Sequence, residues 1–172
     1  MGHENLDLGL SIDIEKTAGR TIGFLKYTFP EYIRGAALSL DDLAGQPFTG
    51  MPASHSATNS QEKKLDRAWK AATVYQTILL CQKSPTYPYQ QILLNKFVKK
   101  LPDWKIQPMV GYSNSQYYLK RRDALCEFAE LLNSKKVKNG CFDIPDLVIE
   151  IEPEPEKGKS DDYRTVSGHL SD

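Results

Sequence analysis

Gly111 stands between two runs of helical periodicity and has a helix start signal directly behind it, in the stretch GYSNSQYYLKRRDALCEFAELL at 111–132. Glycine enters the left-handed conformation without the steric cost of a Cβ, so one helix can stop there and the chain can turn sharply into the next. Ser113 followed by Gln116 has capping-box spacing, which predicts a helix beginning at that serine. Before the glycine, PDWKIQPMV has room only for a short helix, with Asp103 as its expected N-cap. Pro108 lies inside that helix and removes a backbone donor, so it is expected to be shortened or bent.

At 100° per residue, Tyr118, Arg121, Leu125, Phe128, Ala129 and Leu132 fall on one side of the second helix, with Tyr117 and Ala124 at its edge. That side is the expected core face. Gln116, Leu119, Lys120 and Asp123 point the other way, flanked by Ser115 and Arg122, and Asn114 sits at the exposed beginning. A short helix, a glycine-containing turn and a longer helix with a polar, basic leading half is the pattern of a helix-turn-helix, here about 103–133.

Elsewhere the chain also reads as helix. Ile14, Ala18, Ile22 and Leu25 are spaced by threes and fours, and Pro30 is expected to split 12–38 into two helices. Residues 39–60, rich in Gly, Pro, Ser and Thr, read as a linker. A helix is expected from Asn59 or Ser60 to about Cys81, with Leu65, Trp69, Ala72, Val74, Ile78 and Leu79 inward. Another is expected over 89–101, with Ile92, Leu93, Phe97 and Leu101 inward. Trp69 and Trp104 are expected as anchors between helices. The fold class is therefore all-α: an N-terminal helical segment at 1–38, the linker, a basic helical domain at 61–140, and an acidic tail at 141–172 that is mostly disordered. Within that tail LVIEIE alternates as a strand would, and the Glu/Pro run behind it cannot pack.

The formal charge of zero hides an asymmetry. Residues 1–60 carry 4 Lys and Arg against 7 Asp and Glu, residues 61–140 carry 15 against 6, and residues 141–172 carry 3 against 9. A basic middle between acidic ends points to an anionic partner for the middle. Cys81, Cys126 and Cys141 are far apart, and His3, His55 and His169 are equally scattered, so no metal site, cofactor or catalytic group is expected and the chain does not read as an enzyme. No apolar run approaches the ~18 residues of a membrane span, and the beginning has no secretory pattern, so a cytoplasmic protein without a membrane partner is expected.

Double-stranded DNA is the expected partner. Asn114, Ser115, Gln116, Leu119, Lys120 and Arg122 are the candidates for base edges, because short polar and basic side chains on a protruding helix end can pair with them. Lys99, Lys100, Lys105, Tyr117 and Arg121 are the candidates for phosphates, which set register without reading sequence. The N-terminal helices carry no chemical motif; they either cover the C-terminal half or form a homo-oligomer.

Two blocks of the chain resemble the ArpU/RinA-like phage transcription regulators. One is the 111–132 stretch, with its GYS, YY, K, AL and FAE in that order; the other is GMPASHSATNSQEKKLDRAWKA at 50–71. The resemblance spans about residues 12–132. It implies a helix-turn-helix similar to region 4 of bacterial sigma factors, with the recognition helix on 113–132, in an activator of late packaging, structural and lysis genes of a phage or mobile element. It also implies a bacterial host cytoplasm. The acidic tail lies outside the resemblance; beside disorder, the alternatives for it are contact with host RNA polymerase as a further partner or competition with DNA for the basic face. Two other expectations stand beside it: a protein-interaction module acting on a host factor with the helix pair as scaffold, and a DNA recogniser resembling a terminase small subunit.

Overall fold

The Asp13 carboxylate accepts a hydrogen bond from the Lys16 amide at 3.0 Å and so starts the first helix. In the computed structural model, which describes residues 11–45 and 59–151, this helix is α1 (Ile14–Gly23). It runs without a break through a π turn (Phe24–Thr28) into α2 (Phe29–Gly35). Pro30 therefore does not split the segment. The π turn directly ahead of it shifts the hydrogen bonding so that the Phe29 amide reaches Phe24 O, and Pro30, in the first turn of α2, needs no donor.

Within the expected linker lies α3 (Leu40–Gly45), whose Leu43 is buried; residues 46–58 lie outside the described residues. α4 (Asn59–Leu80) starts where the capping residues placed it. Trp69, Ala72, Val74 and Ile78 are buried as expected, but Leu65 and Leu79 are exposed, and Ala71, Thr73 and Thr77 take inward places. The threonines bury cheaply because each hydroxyl donates one turn back: Thr73 to Trp69 O at 2.8 Å and Thr77 to Thr73 O at 2.7 Å.

The helix expected over 89–101 is α5 (Tyr89–Leu93) followed by a second π turn (Leu94–Val98). It stops at Lys100, whose φ of 55° is left-handed, with the Leu101 amide bonded back to Asn95 O. α6 (Asp103–Val110) and α7 (Asn114–Lys138) follow. α6 is capped by Pro102 rather than Asp103 and continues through Pro108 to Gly111. Gly111 has φ 73°, the left-handed stop its position predicts. Ser113 is the N-cap of α7, but its side chain makes no capping bond, so the capping box itself does not form.

Among the described residues the fold is all-helical, with a single isolated antiparallel bridge between Ile12 and Glu150. α1 packs along α7, and α2 along α4. One cluster joins both halves of the chain, through Phe24, Leu25, Phe29, Ile78, Phe128 and Leu132. A second, smaller cluster of Ile92, Ile106 and Tyr117 holds α5, α6 and the start of α7 together. The N-terminal helices thus cover the C-terminal half of the same chain.

The expected acidic tail does not begin at 141. Cys141, Ile144 and Leu147 are buried. Lys136 donates to Ile144 O at 2.9 Å and pairs with Asp146, while Lys70 pairs with Asp143 and, at 2.7 Å, with Asp66. The segment then runs back to α1, where the Asp13 amide donates to Ile149 O and the Ile149 amide to Thr17 Oγ1. The LVIEIE alternation yields only the isolated bridge, because its neighbour is a helix start with few open backbone groups. Residues 152–172 lie outside the described residues.

Leu147→Ala should lower stability by about 2–5 kcal/mol, as for other buried leucines. Urea unfolding followed by circular dichroism measures this, and an unchanged midpoint would mean that the segment is not packed.

Candidate nucleic-acid interface

Three residues connect α6 to α7, and the geometry there is fixed by one carboxylate. Asp103, in the first turn of α6, accepts from Tyr117 Oη at 2.7 Å, from Arg121 at 3.0 Å and from Lys96 Nζ at 3.0 Å. Burial disfavours its charge, but donation from Tyr117 and Lys96 and the charges of Arg121 and Lys96 outweigh that and hold its carboxyl below the usual range. Tyr117 moves the opposite way: burial first, then the bond to Asp103, push its hydroxyl above the ordinary phenol range. It stays a neutral donor throughout physiological pH.

The turn is tied down from its other side. Tyr112 donates to Thr86 O at 2.8 Å, in the loop between α4 and α5. Lys120 comes down on the same loop, its ammonium 4.7 Å from the Tyr87 ring centre and 5.5 Å from that of Tyr112. With Tyr117 buried beneath it, the first turn of α7 projects from a fixed base. Asn114, Ser115 and Gln116 are exposed there, and Leu119 is half exposed.

The structure brings together some of the expected residues and separates others. Asn114, Ser115, Gln116 and Leu119 form the leading edge. Lys120 is turned toward the α4–α5 loop. Arg122 bonds Glu15 of α1 at 2.8 Å and so lies on the side where α1 packs. Among the phosphate candidates, Lys99, Lys100 and Lys105 are exposed and have no carboxylate partner among the described residues. Tyr117 and Arg121 are not open in this way, because Asp103 holds both.

The two tyrosines exchange their expected places. Tyr117 is fully buried, against Ile92 and Ile106, while Tyr118 is 43% exposed with the Arg121 guanidinium over its ring. Helical azimuth gives a direction but not how far along the helix a neighbour extends. Tyr118 shares its direction with Leu125 and Ala129, yet at the leading end that side is open.

Trp69 anchors as expected, with its indole donating to Asn139 O at 2.6 Å. Trp104 does not; it is 69% exposed on α6, next to Lys105, whose ammonium lies 5.3 Å from its ring centre. A tryptophan on a helix that contributes one buried side chain, Ile106, has little core to enter. Asp103, Lys96, Tyr112 and Tyr87 are the positioning residues that sequence reasoning missed. For Asp103 no local signal existed, because Tyr117 and Arg121 lie on another helix.

No group of three His, Cys, Asp or Glu side chains among the described residues is placed to hold a metal ion, and no helix among them is long and apolar enough to cross a membrane. No family model, curated protein or solved structure matches the chain.

Asp103→Asn should cost about 1–3 kcal/mol by weakening charged hydrogen bonds. Because the folded carboxyl sits below its unfolded value near 3.9, the contribution is complete above that pH and is lost as pH falls through the folded value. Urea unfolding at a series of pH values should show the gap between wild type and variant closing below about pH 4. A gap that stays constant into acid would remove Asp103 from this role.

Proposed function

We propose that the chain is a sequence-specific, DNA-binding transcription regulator that reads duplex DNA with the leading turn of α7. One observation carries this reading: Asn114, Ser115, Gln116 and Leu119 stand exposed on a helix end that is fixed from below by Tyr117 and Asp103. Precise recognition of base edges needs this combination, since polar side chains select bases only when the helix beneath them is held in register. Three-residue connections between a short and a long helix suit entry of the second helix into the major groove.

The distribution of charge supports the same reading. Several cations of the basic middle are spent internally, Lys70 and Lys136 on Asp143 and Asp146, and Arg122 on Glu15. Of those without a carboxylate partner among the described residues, Lys99, Lys100 and Lys105 flank the start of α6, where they would meet phosphates beside the groove. Base reading accordingly falls to Asn114, Ser115, Gln116 and Leu119, with Lys120 able to join them by leaving its aromatic seat. Arg122, Tyr117 and Arg121 act by holding the helix in place.

The task assigned to that binding, activation of late packaging, structural and lysis genes of a phage or mobile element, rests on the likeness of 50–71 and 111–132 to the ArpU/RinA-like regulators. An activator must also touch the transcription machinery. The exposed Trp104, Met109 and Tyr118 offer apolar surface for a protein contact, and they favour a second reading in which the α6–α7 pair serves mainly to bind a host protein such as RNA polymerase.

The two readings separate by mutation. Gln116→Ala should reduce preference for the cognate site by the roughly 1–3 kcal/mol of a base contact, with little effect on random DNA. Lys99→Ala should weaken all sequences alike and lower the salt slope by about 1. Fluorescence anisotropy on cognate and random duplexes at several salt concentrations reads both effects. Equal losses on every sequence for both variants would end the proposed division of labour, and absence of DNA affinity alongside a stable polymerase complex would favour the second reading.

A further inference from the structure

Away from the leading edge of α7, an open cleft of about 580 Å³ lies between the first helical rod and the segment that joins α5 to α6. Its volume is within the range of small-molecule sites, roughly 300–1,000 Å³. The floor is apolar, made by Ile22, Leu25, Phe97 and Leu101. Four cations line it, Lys26, Lys96, Lys100 and Arg121, and no Asp or Glu does.

These cations fall into two pairs. Lys96 and Arg121 are bonded to Asp103 behind the wall and contribute field rather than free donors. Lys26 and Lys100 are exposed and have no carboxylate partner among the described residues. Their backbone settings are unusual. Lys26 lies in the π turn Phe24–Thr28, Lys96 in the π turn Leu94–Val98, and Lys100 adopts the left-handed φ of 55°. π turns within α-helices gather at functional sites, and a non-glycine residue at positive φ is uncommon. Three such irregularities bring lysines to one cleft.

The geometry points to a binding site for a small organic anion with an apolar body, a carboxylate on an alkyl or aryl chain. The body covers Leu25, Phe97 and Leu101, and the carboxylate meets Lys26 and Lys100. A simple inorganic anion would leave the apolar floor wet, and a neutral ligand would leave the cations without a counter-charge. The cleft shares none of the proposed base-reading residues Asn114, Ser115, Gln116 and Leu119, and it shares only Lys100 with the proposed phosphate contacts.

Amide chemical shifts of the full chain, titrated with decanoate below its micelle concentration, test the site. Saturating shifts confined to residues 22–30, 94–102 and 121 are expected below about 1 mM, and neither acetate nor decanol should reproduce them at the same concentration. K26M and the K26M/K100M double variant, with otherwise unchanged spectra, should bind decanoate at least about tenfold more weakly. K26M alone carries the test if substitution at Lys100 disturbs the turn. Shifts that do not saturate, equal shifts with decanol or acetate, or undiminished binding by K26M would each overturn the assignment. DNA affinity measured on K26M, which keeps every proposed DNA-contacting residue, reports on the other reading separately.

Discussion

A single carboxylate sets the direction in which α7 points. Asp103 collects Lys96 from the second π turn, Tyr117 from the first turn of α7 and Arg121 from the next, so three segments that share only a small apolar cluster are locked at one atom group. Ile92, Ile106 and Tyr117 supply packing at that end, but packing is non-directional, whereas hydrogen bonds to a charged acceptor fix angle and distance. Removing Asp103 would leave the phenol of Tyr117 buried without its acceptor and two cations facing each other. Such a loss costs more than the bonds themselves contribute when formed.

The same device recurs at the other end of α7. Lys70 and Lys136 are nearly buried and are met by Asp143 and Asp146, the first acidic residues after α7. Truncating Asp146 would leave the nearly buried Lys136 ammonium without a carboxylate, whereas Lys70 would keep Asp66, so the Lys136 pair ties the returning segment more firmly than a surface ion pair would. The large apolar cluster between them holds the rods together, and the two polar ends define what each rod's termini do. The charge asymmetry of the chain is thereby partly a folding device and only partly a surface available to a partner.

Much of the fold was legible because helical period, capping residues and glycine act locally. Gly111 at φ 73° is placed by the chemistry of one residue, and α4 and α7 start at Asn59 and directly after Ser113, where polar residues precede helical periodicity. What was not legible depended on distant partners. Pro30 and the 89–101 run look like a break and a regular helix, yet each lies in a helical rod that carries a π turn. Trp104 reads as an anchor by size alone, but α6 has no room to bury it. Tyr112 and Lys120 meet the α4–α5 loop, about 25 residues or more away in sequence, which no spacing rule encodes. The exposure of Asn114, Ser115, Gln116 and Leu119 was visible in advance because it follows from helical azimuth and from their place at or near the helix start. That Arg122, Tyr117 and Arg121 serve position rather than contact was not visible, since their partners Glu15 and Asp103 lie in other helices.

Selection from a randomised duplex library at about 150 mM salt, followed by measured affinities for the winning and a scrambled duplex, tests the central claim most directly. The account predicts one recurring sequence bound at roughly 10⁻⁸ M or tighter, against 10⁻⁴ to 10⁻⁶ M for the scrambled duplex. Uniform weak binding, with no sequence enriched, would contradict it and transfer the leading edge of α7 to a protein partner.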